Sequence, residues 1–111
     1  MMVAVTTVLL DTAIATVKTA ARDLPAGLEP ADLAAQVAAA RELGWALDQF
    51  VKTITARYEH LNGRLRHDQD GDPVAAVDMV RFRLDDITMR LVDIDEAFGE
   101  AHNHAARIAR A

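Results

Sequence analysis

The 111-residue chain has no cysteine. Disulfides, thiolate metal ligands and cysteine nucleophiles are excluded together. Aromatic residues make up only 5% of the chain, and proline occurs three times. Lysine is almost missing: Lys18 and Lys52 stand alone among basic residues that are otherwise arginines. Scarce lysine with abundant alanine is the pattern of a high-GC genome, such as that of an actinobacterium or its phage. No strand-like alternation of apolar and polar residues bounded by turn signals occurs anywhere. Residues 1–10 are apolar, but Asp11 ends the run and no basic segment precedes it. A membrane span needs roughly 20 apolar residues, and a secretory signal needs basic flanking residues. The run therefore reads as the start of a core helix, with the cytoplasm as the expected location and no membrane partner.

What is present is aliphatic. Hydrophobic residues make up 51% of the chain, mostly Ala, Val, Leu and Ile. Ala, Leu, Arg, Glu and Met all favour helix. Two long stretches carry apolar residues at alternating steps of three and four, which places them on one stripe of a helix. The first is Leu33, Val37, Ala40, Gly44, Leu47, Val51, Ile54, Tyr58, Leu61 and Leu65. The second is Val77, Val80, Leu84, Ile87, Leu91, Ile94, Phe98, Ala101, Ala105 and Ile108.

Three helices follow. Helix 1 is expected over residues 5–23, with Leu10, Ile14, Val17, Ala21 and Leu24 on one face, and is ended by Pro25 and Gly27. Helix 2 opens at Pro30 with Asp32 in its first turn and runs to about His67. Asn62-Gly63 offers an earlier end, but Leu65 keeps the stripe going. A turn over residues 68–72 leads to helix 3 over residues 73–109, capped by Asp72 with Pro73 in its first position. The fold class is all-α: a three-helix antiparallel bundle in one domain, its short N-terminal helix packed on a long coiled-coil-like hairpin. Helices 2 and 3 would each be roughly 55 Å long at 1.5 Å per residue.

Aligning the two stripes in reverse sets Gly44 against Ile94, Ala40 against Phe98, Leu33 against Ala105 and Val37 against Ala101. Small faces large. Close approach by Ile94 would explain a helical Gly44, which costs about 1 kcal/mol relative to Ala. Helix 1 reaches only to about Val51, and Leu43 and Phe50 are its expected docking points, with Trp45 at the margin. The far half of the hairpin is then left without a third helix. There Met79, Phe82 and Met89, with Ala75, form a second apolar stripe. An uncovered apolar stripe calls for a partner, and methionine suits adaptable surfaces. The simplest partner is a second copy, giving a homodimer with a four-helix bundle at the tip; another helical protein is the alternative. Arg57, Arg81 and Arg83 flank the stripe.

Chemistry-bearing motifs are weak. His60, His67, His102 and His104 fall in two distant pairs, and no spacing of three or four joins any two of them into a metal pair. The turn over residues 68–72 begins like a calcium loop, but the positions that should hold Gly and Glu are Pro73 and Met79. Asp93, Asp95, Glu96 and Glu100 form no closed carboxylate pair suited to acid–base catalysis. No enzyme, metal or cofactor is expected. The two-helix hairpin, with His60 in Glu59-His60-Leu61-Asn62-Gly63 and with His67-Asp68, resembles histidine-kinase dimerisation domains. The resemblance implies His60 or His67 as phosphoacceptor. Arg57, Arg64, Arg66, Arg81 and Arg83 gather near the tip as a basic cluster for nucleic acid. The net charge of −5 and the interleaved Asp68, Asp78, Asp85 and Asp86 argue against it, as does a helical Arg81–Asp85 pair. The size of the hairpin is similar to that of small secreted actinobacterial proteins with a Trp-x-Gly turn, but Trp45 follows Gly44 in mid-helix. The expected function is a non-enzymatic interaction module: an adaptor, assembly factor or small regulator.

Overall fold

The computed structural model describes residues 2–61 and 71–109, with side chains from residue 7 onward. Among the described residues the chain forms three helices and no strand: α1 (Met2–Arg22), α2 (Pro30–Glu59) and α3 (Pro73–Ala105). The capping chemistry follows the sequence. Pro30 opens α2 after Glu29, whose backbone is extended at φ −67°, ψ 154°. Extended backbone is what a residue before proline prefers, because the ring disfavours the helical region there. Asp72 caps α3: its Oδ1 accepts the N–H of Val74 at 3.0 Å. That bond satisfies one of the donors a helix N-terminus leaves free.

Two helices stop sooner than their apolar periodicity suggests. α2 ends at Glu59, not near His67. The N–H groups of His60 and Leu61 turn back to the carbonyls of Arg57 and Tyr58, each at 3.2 Å. These three-residue steps tighten the last turn just ahead of Asn62-Gly63. Leu65, His67, Arg64, Arg66 and most of the expected turn lie outside the described residues. α3 gives way after Ala105 to similar steps, from Arg107 to His104 and from Ile108 to Ala105.

α2 and α3 pack against each other; α1 packs against neither. The three-helix packing expected from the sequence is absent: Leu43 stays exposed, and every described side chain of α1 is exposed. The segment joining α1 to α2 carries Pro25 and ends at Pro30, and both restrict the backbone that would have to reverse. The molecule measures 65 × 28 × 21 Å, with a radius of gyration of 19.0 Å. A compact domain of this length would have a radius of about 13 Å.

The α2–α3 seam is rotated from the expected stripes. Val37, Gly44, Val51 and Tyr58 on α2, and Val77, Leu84, Leu91 and Phe98 on α3, are buried or half-buried as anticipated. On the second line Ala40, Ile54 and Val80 are half-buried as expected, but most of the inward positions shift by one residue. Ala34, Arg41, Asp48 and Thr55 fill them on α2; Arg81, Thr88, Asp95 and His102 fill them on α3. Leu33, Leu47, Ile87 and Ile94 are turned out into solvent. The hairpin therefore closes on one apolar line and one line rich in small and polar residues. Thr55 and Thr88 reach that position by returning their hydroxyls to the carbonyls of Val51 and Leu84, at 2.9 and 3.1 Å, so neither hydroxyl is left without an acceptor.

The glycine expectation also changes. An added Cβ at Gly44 would meet nothing within 4 Å, so Ile94 does not approach it. The close approach is at Gly99, where an added Cβ would come within 3.1 Å of the Arg41 guanidinium.

Candidate interaction surface

One side of the hairpin is held by a clamp of three side chains. Arg41 on α2 donates from Nε and Nη2 to the two carboxylate oxygens of Asp95 on α3, at 2.7 and 3.1 Å. Trp45, one helical turn beyond Arg41, donates its indole N–H to the same carboxylate. The Arg41 guanidinium lies 5.2 Å from the centre of the Trp45 ring. Gly99 leaves the room this guanidinium occupies. A planar, forked donor on a carboxylate fixes geometry as well as charge. The hydrogen bonds from Arg41 push the Asp95 carboxyl below its ordinary value, burial opposes this, and the Trp45 bond adds to the lowering. Asp95 in turn raises Arg41, chiefly through the same hydrogen bonds. Both groups therefore stay ionised around neutral pH, and neither is suited to take or give a proton there. The cluster is a structural clamp.

Toward the tip, Arg81 reaches Glu59 across the hairpin at 3.6 Å and Asp78 on its own helix at 3.9 Å. The helical pair with Asp85 expected from spacing gives way to these contacts. Arg81 Nε and Asp48 Oδ1 are enclosed without a hydrogen-bond partner, although the other Asp48 oxygen accepts Lys52 Nζ at 2.9 Å. Together the Arg41–Asp95 and Arg81–Glu59 bridges tie two levels of the hairpin and bracket its expected antiparallel register.

The opposite side is apolar. Stepping back one residue from the inner line rotates each helix by about 100°. Because α2 and α3 run antiparallel, the same step turns both outward lines to one side of the hairpin. Leu33 and Leu47 on α2 thus share a face with Ile87 and Ile94 on α3. Leu47 is 50% exposed and Ile94 44%. Among the described residues nothing covers this face.

The residues singled out from sequence fall on a third surface. Met79, Phe82 and Met89 occupy the side of α3 turned away from α2, and Phe82 and Met89 are 61% and 70% exposed. Arg83 joins them, its guanidinium 5.7 Å from the Phe82 ring. Arg57 is exposed on α2. Arg81 does not flank the stripe, because it is drawn into the hairpin seam. His60 is exposed at the C-terminal cap of α2, while His102 and His104 lie in the last turn of α3. No group of three or more His, Asp or Glu that could hold a metal occurs among the described residues. No helix among them is long and apolar enough to cross a membrane.

Sequence reasoning missed the Leu47–Ile94 face and the clamp. The first was hidden because those leucines and isoleucines are the obvious candidates for a seam. The second has a faint signal, an arginine and a tryptophan four apart on one helix facing acids on the other. Comparison with family models, curated proteins and solved structures returned no match.

Proposed function

We propose that this chain is a non-enzymatic helical interaction module that self-associates, serving as an adaptor, assembly factor or small regulator. The observation that carries the reading is how little the chain buries. Among the described residues only Ala34, Val51 and Thr55 are buried. The accessible surface is 9049 Å², against about 6,000 Å² for a compact monomer of this mass. A chain with this hydrophobic content and so small a core has its apolar surface available for another molecule. The bundle that one chain does not complete would then be completed between chains.

The contact surface backed for a partner is Met79, Phe82 and Met89 with Arg83 beside it; Arg57, on the other helix, would take part only if the partner also reaches α2. Large, adaptable apolar side chains next to arginines are the composition found at the centres of interfaces. Light scattering on the wild type and on Phe82→Asp tests the reading. The expected mass is a multiple of the 12.1 kDa chain, moving toward the monomer in Phe82→Asp. A wild type that is monomeric at tens of micromolar overturns self-association.

A further inference from the structure

We infer that the Leu33–Leu47–Ile87–Ile94 face is the seat for α1 of a second copy of this chain, so that two copies exchange their first helices. This rests on the self-association reading and names the surface that would complete it.

Two bare apolar surfaces on one chain point to each other. The face runs along the groove between α2 and α3, opposite the Arg41–Asp95 clamp. α1 offers Leu10, Ile14, Val17 and Ala21 at steps of four, three and four, all exposed. Its polar groups are already quiet: the hydroxyls of Thr12 and Thr16 are bonded to the carbonyls of Val8 and Thr12 at 2.9 and 2.8 Å. Burying that helix therefore strands few donors.

The second copy, rather than the chain's own α1, is favoured by the hinge and by the area. α1 stands clear of its own hairpin, behind a connection held by Pro25 and Pro30. A first helix that stands clear of its own hairpin on a proline-bearing hinge is placed to reach the hairpin of another copy. The surface in excess of a compact monomer is about 3,000 Å² per chain, or about 6,000 Å² for a pair, more than the roughly 2,000–5,000 Å² that an obligate dimer typically buries over both partners.

The absence of cysteine makes the test clean. Full-length Ile14→Cys and Ile94→Cys chains are unfolded together, refolded, and treated with a short bis-maleimide. Exchange predicts covalent heterodimers in the mixture, at least about tenfold above either variant alone. Leu10→Cys with Leu47→Cys is a second pair should the first fold poorly, with circular dichroism as the check on folding. Doubly substituted chains should also link between copies. Links formed only within single chains would show that each α1 covers its own hairpin and would overturn the inference. Dimers by light scattering with no link in either pair would overturn the exchange and leave the self-association reading standing. Monomers throughout would overturn both.

Discussion

The two sides of the hairpin are built on opposite principles. One side is closed by Arg41, Trp45 and Asp95, and by Arg81 with Glu59, polar groups that specify partners across the pair. The other presents Leu33, Leu47, Ile87 and Ile94 to solvent. Directional contacts fix which residues meet, but partly exposed ion pairs contribute little stability. Apolar burial supplies most of the driving force for folding, and in this chain it is largely unspent. The hairpin reads as a specified but incomplete unit: register on one side, an unfilled core on the other.

The largest test of this contrast is a charge on the bare side. In Ile94→Glu, a carboxylate would have to enter an apolar contact without a partner, at a cost of about 3 kcal/mol or more. Sedimentation should find association weakened by at least about 100-fold, while helicity is retained. An unchanged association constant would remove this face from the interface.

Substitutions within the helices themselves should have smaller effects. Asp72→Ala removes the α3 cap, so chemical denaturation should show a loss of about 1 kcal/mol. Gly44 has open space where a Cβ would stand, so Gly44→Ala should stabilise by a similar amount, about 1 kcal/mol, from helix propensity alone. Gly99→Ala should gain less or lose, because its Cβ meets the Arg41 guanidinium that holds Asp95. The two alanines behaving alike would mean the clamp does not constrain the hairpin.

The smallest expected effect is the pH dependence of the clamp. Asp95 is lowered from its ordinary 3.8 in the folded chain. Its contribution is therefore complete above that value and is lost as pH falls below it through the folded value. Acid unfolding of Arg41→Ala should accordingly lose the part of the wild-type pH dependence that lies below about pH 4. An identical acid limb in the two proteins would contradict the assignment.

Much of the helix placement was legible in the sequence, because Pro30, Asp72 and Pro73 are local signals with local causes. One line of each heptad stripe was legible too, in Val51 and Leu84 for example. The other line was legible only in part, at Ala40, Ile54 and Val80. Hydropathy selects Leu47 over Asp48 and Ile94 over Asp95, whereas the hairpin closes on the aspartates. What decides between them is pairing: Arg41 and Asp95 lie 54 residues apart, and periodicity within one helix carries no information about that distance. The bare position of α1 was illegible for a related reason. An amphipathic stripe such as Leu10, Ile14 and Val17 announces that it will be covered, but not by which chain. For the Met79–Phe82–Met89 stripe, sequence gave the exposure, and for Arg81 it gave the wrong neighbour.

The central claim is that this chain does not complete its core alone. Thermal unfolding followed by circular dichroism over a range of about 100-fold in chain concentration tests it most directly. If the native fold is completed between copies, the midpoint rises by several degrees as concentration increases, by mass action. A midpoint independent of concentration, in a chain of monomeric mass, would contradict the claim.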